Sequence, residues 1–237
     1  SVIQACVPGR CRKDCSSDLR PTRLAPSSAA VMAGRSCTPA RRNVASGAAK
    51  PAPLPGSLNA NRMLSSWLRI NPAGTVTVYT GKIELGQGIA TAIAQIAADE
   101  LDVDYKRIEV ITGDTSRTPN EGVTAGSLSM EQSGTAMKFA CAEARSLLLG
   151  AAAAKLGVPA GELRVADGAI VGPGGQKSSY WEVSSDAMLR REATATAKPK
   201  NPAEYKFVGQ SLVRRDILPK FTGQRAYVQD LRLPGMQ

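Results

Sequence analysis

Gly81-Lys82-Ile83-Glu84-Leu85-Gly86-Gln87-Gly88 separates two segments of opposite periodicity. Before it, Thr75-Val76-Thr77-Val78-Tyr79-Thr80 alternates in the manner of a half-buried strand. After it, Ile89, Ile93, Ile96, Ala97 and Leu101 fall at offsets 0, 4, 7, 8 and 12, one stripe of an amphipathic helix. The stretch therefore reads as a strand, a glycine-hinged loop and a helix. Its glycines let the backbone approach a ligand closely and take positive φ without a Cβ clash. Gln87 offers an amide donor and an acceptor between two of them. The first N–H groups of the helix lack intrahelical partners and carry partial positive charge, which suits a phosphate or another polar cofactor group. The same residues also suit an ordinary βα turn, because glycine-rich turns of this kind are common.

Upstream, Trp67-Leu68-Arg69-Ile70 alternates and Asn71-Pro72-Ala73-Gly74 is a turn, so Trp67 to Thr80 predicts a β-hairpin, with order starting near Met63. Downstream, Asp102-Val103-Asp104 ends the helix and Arg107 to Thr112 reads as a strand, which closes a βαβ-like unit. Residues 113–132 form a long polar loop containing Pro119-Asn120-Glu121-Gly122 and Thr124-Ala125-Gly126-Ser127. Loops of that length inside a domain are often functional, although a solvated surface loop is the plain alternative. The small hydroxyl residues around Gly126 can donate to an anion. A helix is predicted over Ser133–Leu156, with Ser133 as its cap and Met137, Ala140, Cys141, Ala144 and Leu148 on one face. Cys141 on that stripe reads as a small core residue rather than a nucleophile. Gly157-Val158-Pro159 stops the helix. A hairpin turning at Asp167-Gly168, a turn at Gly172–Gly175, a short helix over Tyr180–Met188 and a linker-like Lys198–Pro202 follow. Residues 205–237 are irregular until a strand-like run over Ala226–Met236. The fold class is mixed α/β, α+β, with a disordered N-terminal segment.

The net charge of +10 is concentrated. Residues 1–50 carry nine Lys or Arg against Asp14 and Asp18, or +7, which leaves +3 for the rest. Residues 1–60 have no sustained period and read as disordered, ending in the stiff Pro51–Gly56 linker. A basic tail attached to an α/β domain is one functional reading, a binder of nucleic acid or an acidic surface. The sequence contains no histidine, which removes the commonest metal ligand and a His base. Cys6, Cys11, Cys15 and Cys37 form no second close pair of the zinc-site kind. No apolar run reaches the roughly 18 residues needed to span a membrane. Arg41-Arg42 is followed by small polar residues and not by the apolar core of a signal peptide.

Several motifs in order carry a resemblance: Thr80 to Gly88, Thr112-Gly113-Asp114-Thr115, Thr124 to Ser127, Phe221-Thr222-Gly223 and Asp230 to Met236. Together they resemble the large, molybdenum-cofactor-binding subunit of the xanthine dehydrogenase/aldehyde oxidase family. The order is similar to the branch of isoquinoline 1-oxidoreductase and membrane-associated aldehyde dehydrogenases. The resemblance covers about Pro53 to Met236. After the disordered basic segment that composition gives over 1–60, it implies the N-terminal part of a molybdopterin-binding domain over 61–198 and a linker with the start of a truncated hammerhead domain over 199–237. It implies that Gly86, Gln87 and Gly88 contact the pterin and the molybdenum ligands, and that Thr124, Ala125, Gly126 and Ser127 lie near the pterin or its dinucleotide phosphates. The cofactor would be molybdenum–molybdopterin in its cytosine dinucleotide form, with iron–sulfur clusters on a partner subunit. The substrate would be a small aldehyde or N-heterocycle, hydroxylated with oxygen from water; nucleic acid is not expected as a partner. The family's glutamate base lies near the end of a much longer chain, so no catalytic and no metal-ligating residue is assigned here. Glu84 reads as orienting the loop. The chain is expected to be an inactive portion by itself. Periplasmic or membrane-associated placement is implied by the resemblance, without a recognisable signal peptide.

Overall fold

The computed structural model describes residues 52–225 and 230–236. The basic segment over residues 1–51, with Cys6, Cys11, Cys15 and Cys37, lies outside them, so the disorder expected there does too.

Strands β1 (Leu68–Asn71) and β2 (Thr75–Thr80) form the expected antiparallel hairpin, with Leu68 opposite Val78 and Ile70 opposite Val76. Strand β3 (Ile108–Thr112) runs parallel to β2, from the pair Val76 and Ile108 to the pair Thr80 and Thr112. A parallel pair needs a crossover, and helix α1 (Ile89–Leu101) supplies it, over the residues its periodicity predicts. Its apolar stripe packs on helix α2 (Thr135–Leu156). Ile93, Ala97 and Leu101 of α1, and Met137, Ala140, Cys141, Ala144 and Leu148 of α2, are fully buried. The alanines bring the two helix backbones close, and Val76, Val78 and Trp67 complete the core beneath them. The Trp67 indole N–H donates to the Asn61 carbonyl at 2.7 Å, so the one polar atom of that buried ring is satisfied.

A second, three-stranded antiparallel sheet comprises β4 (Arg164–Ala166), β5 (Ala169–Val171) and β6 (Lys177–Ser179). Asp167 and Gly168, at φ 49° and 73°, make the predicted two-residue turn between β4 and β5. Strand β6 is all polar and carries no strand signal in the sequence. The single helix expected over Tyr180–Met188 is instead two one-turn helices, α3 (Tyr180–Val183) and α4 (Asp186–Leu189), because Ser184 and Ser185 are extended.

Three further expectations are corrected. Composition extends the disordered segment to residue 60 and its linker to Gly56, but Gly56–Asn59 is a 3-10 turn whose Leu58 is fully buried in the core. The long helix does not start on a Ser133 cap. A π-helical turn, Ser129–Gly134, precedes α2, and Ser133 inside it is buried. Its hydroxyl is drawn away from the helix end to the Glu121 carboxylate, 3.0 Å distant. Finally, residues 230–236 form no strand, and 226–229 lie outside the described residues.

The linker-like stretch after Lys198 is strapped across α1. The Asp99 carboxylate accepts the backbone N–H groups of Lys206, Phe207 and Val208. Glu100 accepts from the Lys200 N–H at 3.0 Å and the Tyr205 hydroxyl at 2.7 Å. The Arg215 guanidinium lies 4.2 Å over the Tyr105 ring and donates to the Tyr105 and Ile108 carbonyls. A short helix, α5 (Ile217–Phe221), follows.

Candidate functional site

The loop after β2 and the long loop after β3 are clasped together at the C-terminal ends of those two parallel strands. Gly81 makes the crossing possible: a Cβ there would overlap the Pro119 carbonyl oxygen. Glu121 Oε2 accepts from the Thr80 hydroxyl at 2.9 Å, the Gly81 N–H at 2.7 Å and the Ser133 hydroxyl at 3.0 Å. In return, Lys82 crosses in the other direction. Its side chain is only 2% exposed, and its ammonium donates to the Glu121 and Val123 carbonyls at 2.7 and 2.9 Å. The Ile83 N–H adds a third link, to the Thr124 hydroxyl at 2.9 Å. Among the described residues, no carboxylate oxygen lies within 4.0 Å of the Lys82 ammonium. A buried cation held by carbonyls alone is costly to desolvate, so these contacts fix the two loops strongly with respect to each other.

Beyond the clasp the first loop closes on itself. Glu84 Oε1 accepts from the Gly86 and Gly88 N–H groups at 2.9 and 2.8 Å, and Oε2 accepts from the Ala90 N–H at 3.1 Å. Gln87 Oε1 accepts from the Leu85 N–H at 2.6 Å, and its Nε2 donates to the Ile83 carbonyl at 2.8 Å. Gly88 sits at the head of α1 with φ 83°, ψ 20°, a left-handed conformation that glycine takes without strain. Two expectations about this loop change. Of the N–H groups at the start of α1, expected to be open to a phosphate, those of Gly88 and Ala90 are taken up by Glu84. The Gln87 amide, expected to be free at both ends, is engaged at both ends within its own loop. The Arg214 guanidinium, fastened to both oxygens of Asp216, also lies 3.7 Å from Glu84 Oε1. That guanidinium holds the Asp216 carboxyl well below the usual carboxylate range.

The second loop supplies the opposite wall of a cleft of about 250 Å³, lined by Leu85 and Gln87 on one side and Thr124, Ala125, Gly126, Ser127 and Ser129 on the other. Gln87 and Thr124 to Ser127 are thus brought to one place, whereas Gly86 and Gly88 shape the loop without lining the cleft. Gly126 and Ser127 have φ of 63° and 59°, and the Leu128 N–H turns back to the Ala125 carbonyl at 3.3 Å. Among the described residues, the N–H groups of Ala125, Gly126 and Ser127 and the hydroxyls of Ser127 and Ser129 have no protein partner. The open donors lining the cleft are therefore on the second loop, just ahead of α2, where the helix end adds partial positive charge. Sequence reasoning misses Leu85 and Ser129. An apolar residue inside a polar, glycine-rich loop is the available signal for Leu85, which is 70% exposed. Cys141 is remote from the cleft chemistry: it packs against Met137 Sδ at 3.6 Å in the core, and burial pushes its thiol up.

The family model of the molybdopterin cofactor-binding domain matches residues 17–211. This chain belongs to that family. The match reaches into the basic segment that composition alone assigns to a disordered tail. The cofactor-binding domain is 37% identical over 175 residues to a nicotinate dehydrogenase subunit of Pseudomonas putida, covering 74% of this chain and 15% of that one. It is 27% identical over 210 residues to the beta subunit of isoquinoline 1-oxidoreductase from Brevundimonas diminuta, covering 72% and 27%. The reconstituted CO dehydrogenase from Oligotropha carboxidovorans matches at 30% identity with a TM-score of 0.44, over 49% of this chain and 15% of that one. The chain thus spans about a quarter or less of the length of these relatives. Among the described residues, no helix is long and apolar enough to cross a membrane.

Proposed function

We propose that the cleft between Leu85–Gln87 and Thr124–Ser129 is one wall of a molybdopterin site in a molybdenum hydroxylase. The observation that carries this reading is the convergence on one cleft of Gln87 and the donors of Ala125, Gly126, Ser127 and Ser129 that have no partner among the described residues. Backbone N–H groups and small hydroxyls at a helix start fit the phosphate of the cofactor. In this reading Ala125, Gly126, Ser127 and Ser129 bind the phosphate, in the cytosine dinucleotide form of the cofactor. Gly86, Gln87 and Gly88 form a pre-shaped edge against the pterin, and Leu85 shields it from water. The bound cofactor supplies the redox centre, and this chain's residues hold and orient it. The enzyme would oxidise an N-heterocycle or an aldehyde with oxygen from water and pass electrons to an iron–sulfur subunit. Relatives named for nicotinate and isoquinoline support the first substrate class, and a membrane-bound aldehyde dehydrogenase of Gluconacetobacter polyoxogenes supports the second. Residues 61–198 would be the cofactor-binding part and 199–237 a linker leading to a hammerhead domain.

The test is a double charge insertion, Ser127→Asp with Ser129→Asp, made in the assembled enzyme, that is, the chain within a large subunit of its relatives' length together with the iron–sulfur subunit. The two positions lie on the rim of the cleft, and an acidic residue ahead of α2 is favourable to the helix, so the fold should persist. Molybdopterin and molybdenum per protomer should fall at least about tenfold, as expected when new negative charge faces a bound phosphate. Unchanged cofactor content would contradict the reading.

A further inference from the structure

We propose that Glu84 is the positioning residue of this site. Its carboxylate takes the place at the head of α1 that an anionic ligand would otherwise occupy, and so holds Gly86-Gln87-Gly88 in a single shape. This role rests on the cleft being the cofactor site. The distribution of donors points to it. One carboxylate receives three N–H groups, those of Gly86, Gly88 and Ala90, and thereby ties the tip of the loop to the first turn of α1. Among the described residues the Gln87 amide reaches only Leu85 and Ile83, so it braces one side of the loop and leaves the junction with the helix to Glu84. Gly86 and Gly88 have φ of 105° and 83°, and a Cβ built at either would meet no backbone within 4 Å, so no neighbouring main chain crowds them into that conformation. Two glycines without steric restraint have many alternative conformations, and the carboxylate is what selects one.

Arg214 completes the device. Its guanidinium lies 3.7 Å from Glu84 Oε1, gripped by Asp216, whose Oδ2 also takes the Lys220 ammonium at 2.9 Å. The strap over α1 therefore delivers a fixed cation to the back of the loop. With Gly88 and Ala90 occupied, an anionic group entering the cleft is directed to Ala125–Ser129, and the glycine loop acts as a shaped edge rather than a phosphate cradle.

The experiment compares Glu84→Ala, Glu84→Gln and a distant control, Glu204→Ala, by two readouts. The first is amide hydrogen exchange at Gly86, Gly88 and Ala90 in the full chain. Exchange should quicken about tenfold or more in Glu84→Ala, in line with the loss of charge-assisted hydrogen bonds. It should take an intermediate value in Glu84→Gln, whose amide nitrogen cannot accept from Ala90, and stay at the wild-type value in the control. The second readout is molybdopterin retained by the assembled enzyme, measured by the fluorescence of the oxidised pterin. It should fall about tenfold in Glu84→Ala and recover in part in Glu84→Gln. Unchanged exchange at the three amides overturns the proposal. So does quickened exchange with wild-type cofactor content, while the Ser127 and Ser129 charge insertions still expel the cofactor; in that case the site stands and only the role of Glu84 fails. If the charge insertions leave the cofactor in place, the reading of the cleft fails, and the role of Glu84 with it.

Discussion

Replacing Lys82 by Met probes the clasp that sets the cleft. Met has nearly the same length and shape, so the change removes the ammonium and its two hydrogen bonds and little else. Each bond from a charged group contributes about 1.5–3 kcal/mol net. Two such bonds are lost, and the Glu121 and Val123 carbonyls lose their donor. Two effects offset the loss. The carbonyl of Val123 belongs to a residue that is 78% exposed, so water can replace the ammonium there. The variant is also relieved of burying a cation that has no carboxylate within 4.0 Å among the described residues, a relief of the same order as one bond. The balance is a destabilisation of about 2 kcal/mol, or about 4–8 °C in melting temperature for a domain of this size. The loss should be local before it is global. Exchange at the Ile83 amide, which bonds Thr124, should quicken about thirtyfold, as that free energy implies, while amides in the middle of α2 change only with overall stability. Thermal melting and amide exchange read the two quantities. A Lys82→Met chain that melts at or above the wild-type temperature, with unchanged exchange at Ile83, would refute the claim that this ammonium holds the two loops together.

Gly81→Ala should cost about 2–3 kcal/mol by chemical denaturation, because the atom in the way is the Pro119 backbone carbonyl and not a flexible side chain; a cost under about 0.5 kcal/mol would contradict the close crossing. Cys141→Ser should cost about 1–3 kcal/mol by placing a hydroxyl in the apolar core, where the thiol's hydrogen-bond partner among the described residues is the Met137 sulfur, and cofactor content should not change. The Asp216 carboxyl is depressed by Arg214 and Lys220, so its contribution to stability is present above the ordinary Asp value of 3.8 and is lost as pH falls below it. Exchange protection over residues 214–221 should therefore hold from pH 7 down to about pH 4, and loss between pH 5 and 6 would contradict the pairing.

The βαβ unit and the β4–β5 hairpin were legible because their signals are local: a period of 2 in β2, a stripe at helical spacing in α1, and an Asp-Gly turn between β4 and β5. The loop pair was legible as two candidate segments, but its assembly was not. Lys82 and Glu121 are 39 residues apart, and a charged residue in a loop reads as solvated until its distant partner is known. The way the stretch after Lys198 straps across α1 was not legible for the same reason. Lys198 to Pro202 has the composition of a linker, while the groups that bind the chain around it, Asp99 and Glu100, read as the polar end of an amphipathic helix. Ser133 has the composition of a cap, but a buried contact with Glu121 outweighs the capping bond and leaves a π-helical turn ahead of α2. Glu84 carried a usable signal: a carboxylate two residues before a Gly-x-Gly helix start is positioned to accept N–H groups that the helix leaves open.

The central claim, that the cleft facing the glycine loop holds the cofactor through Ala125–Ser129, is tested most directly by amide hydrogen exchange in the assembled enzyme with and without molybdopterin. The Ala125, Gly126 and Ser127 amides have no protein partner among the described residues, so without cofactor they should exchange nearly as fast as in an unstructured peptide. With cofactor bound they should slow by about tenfold or more, while Gly88 and Ala90, already bonded to Glu84, change little. Protection that appears at Gly88 and Ala90, and not at Ala125–Ser127, would contradict the account.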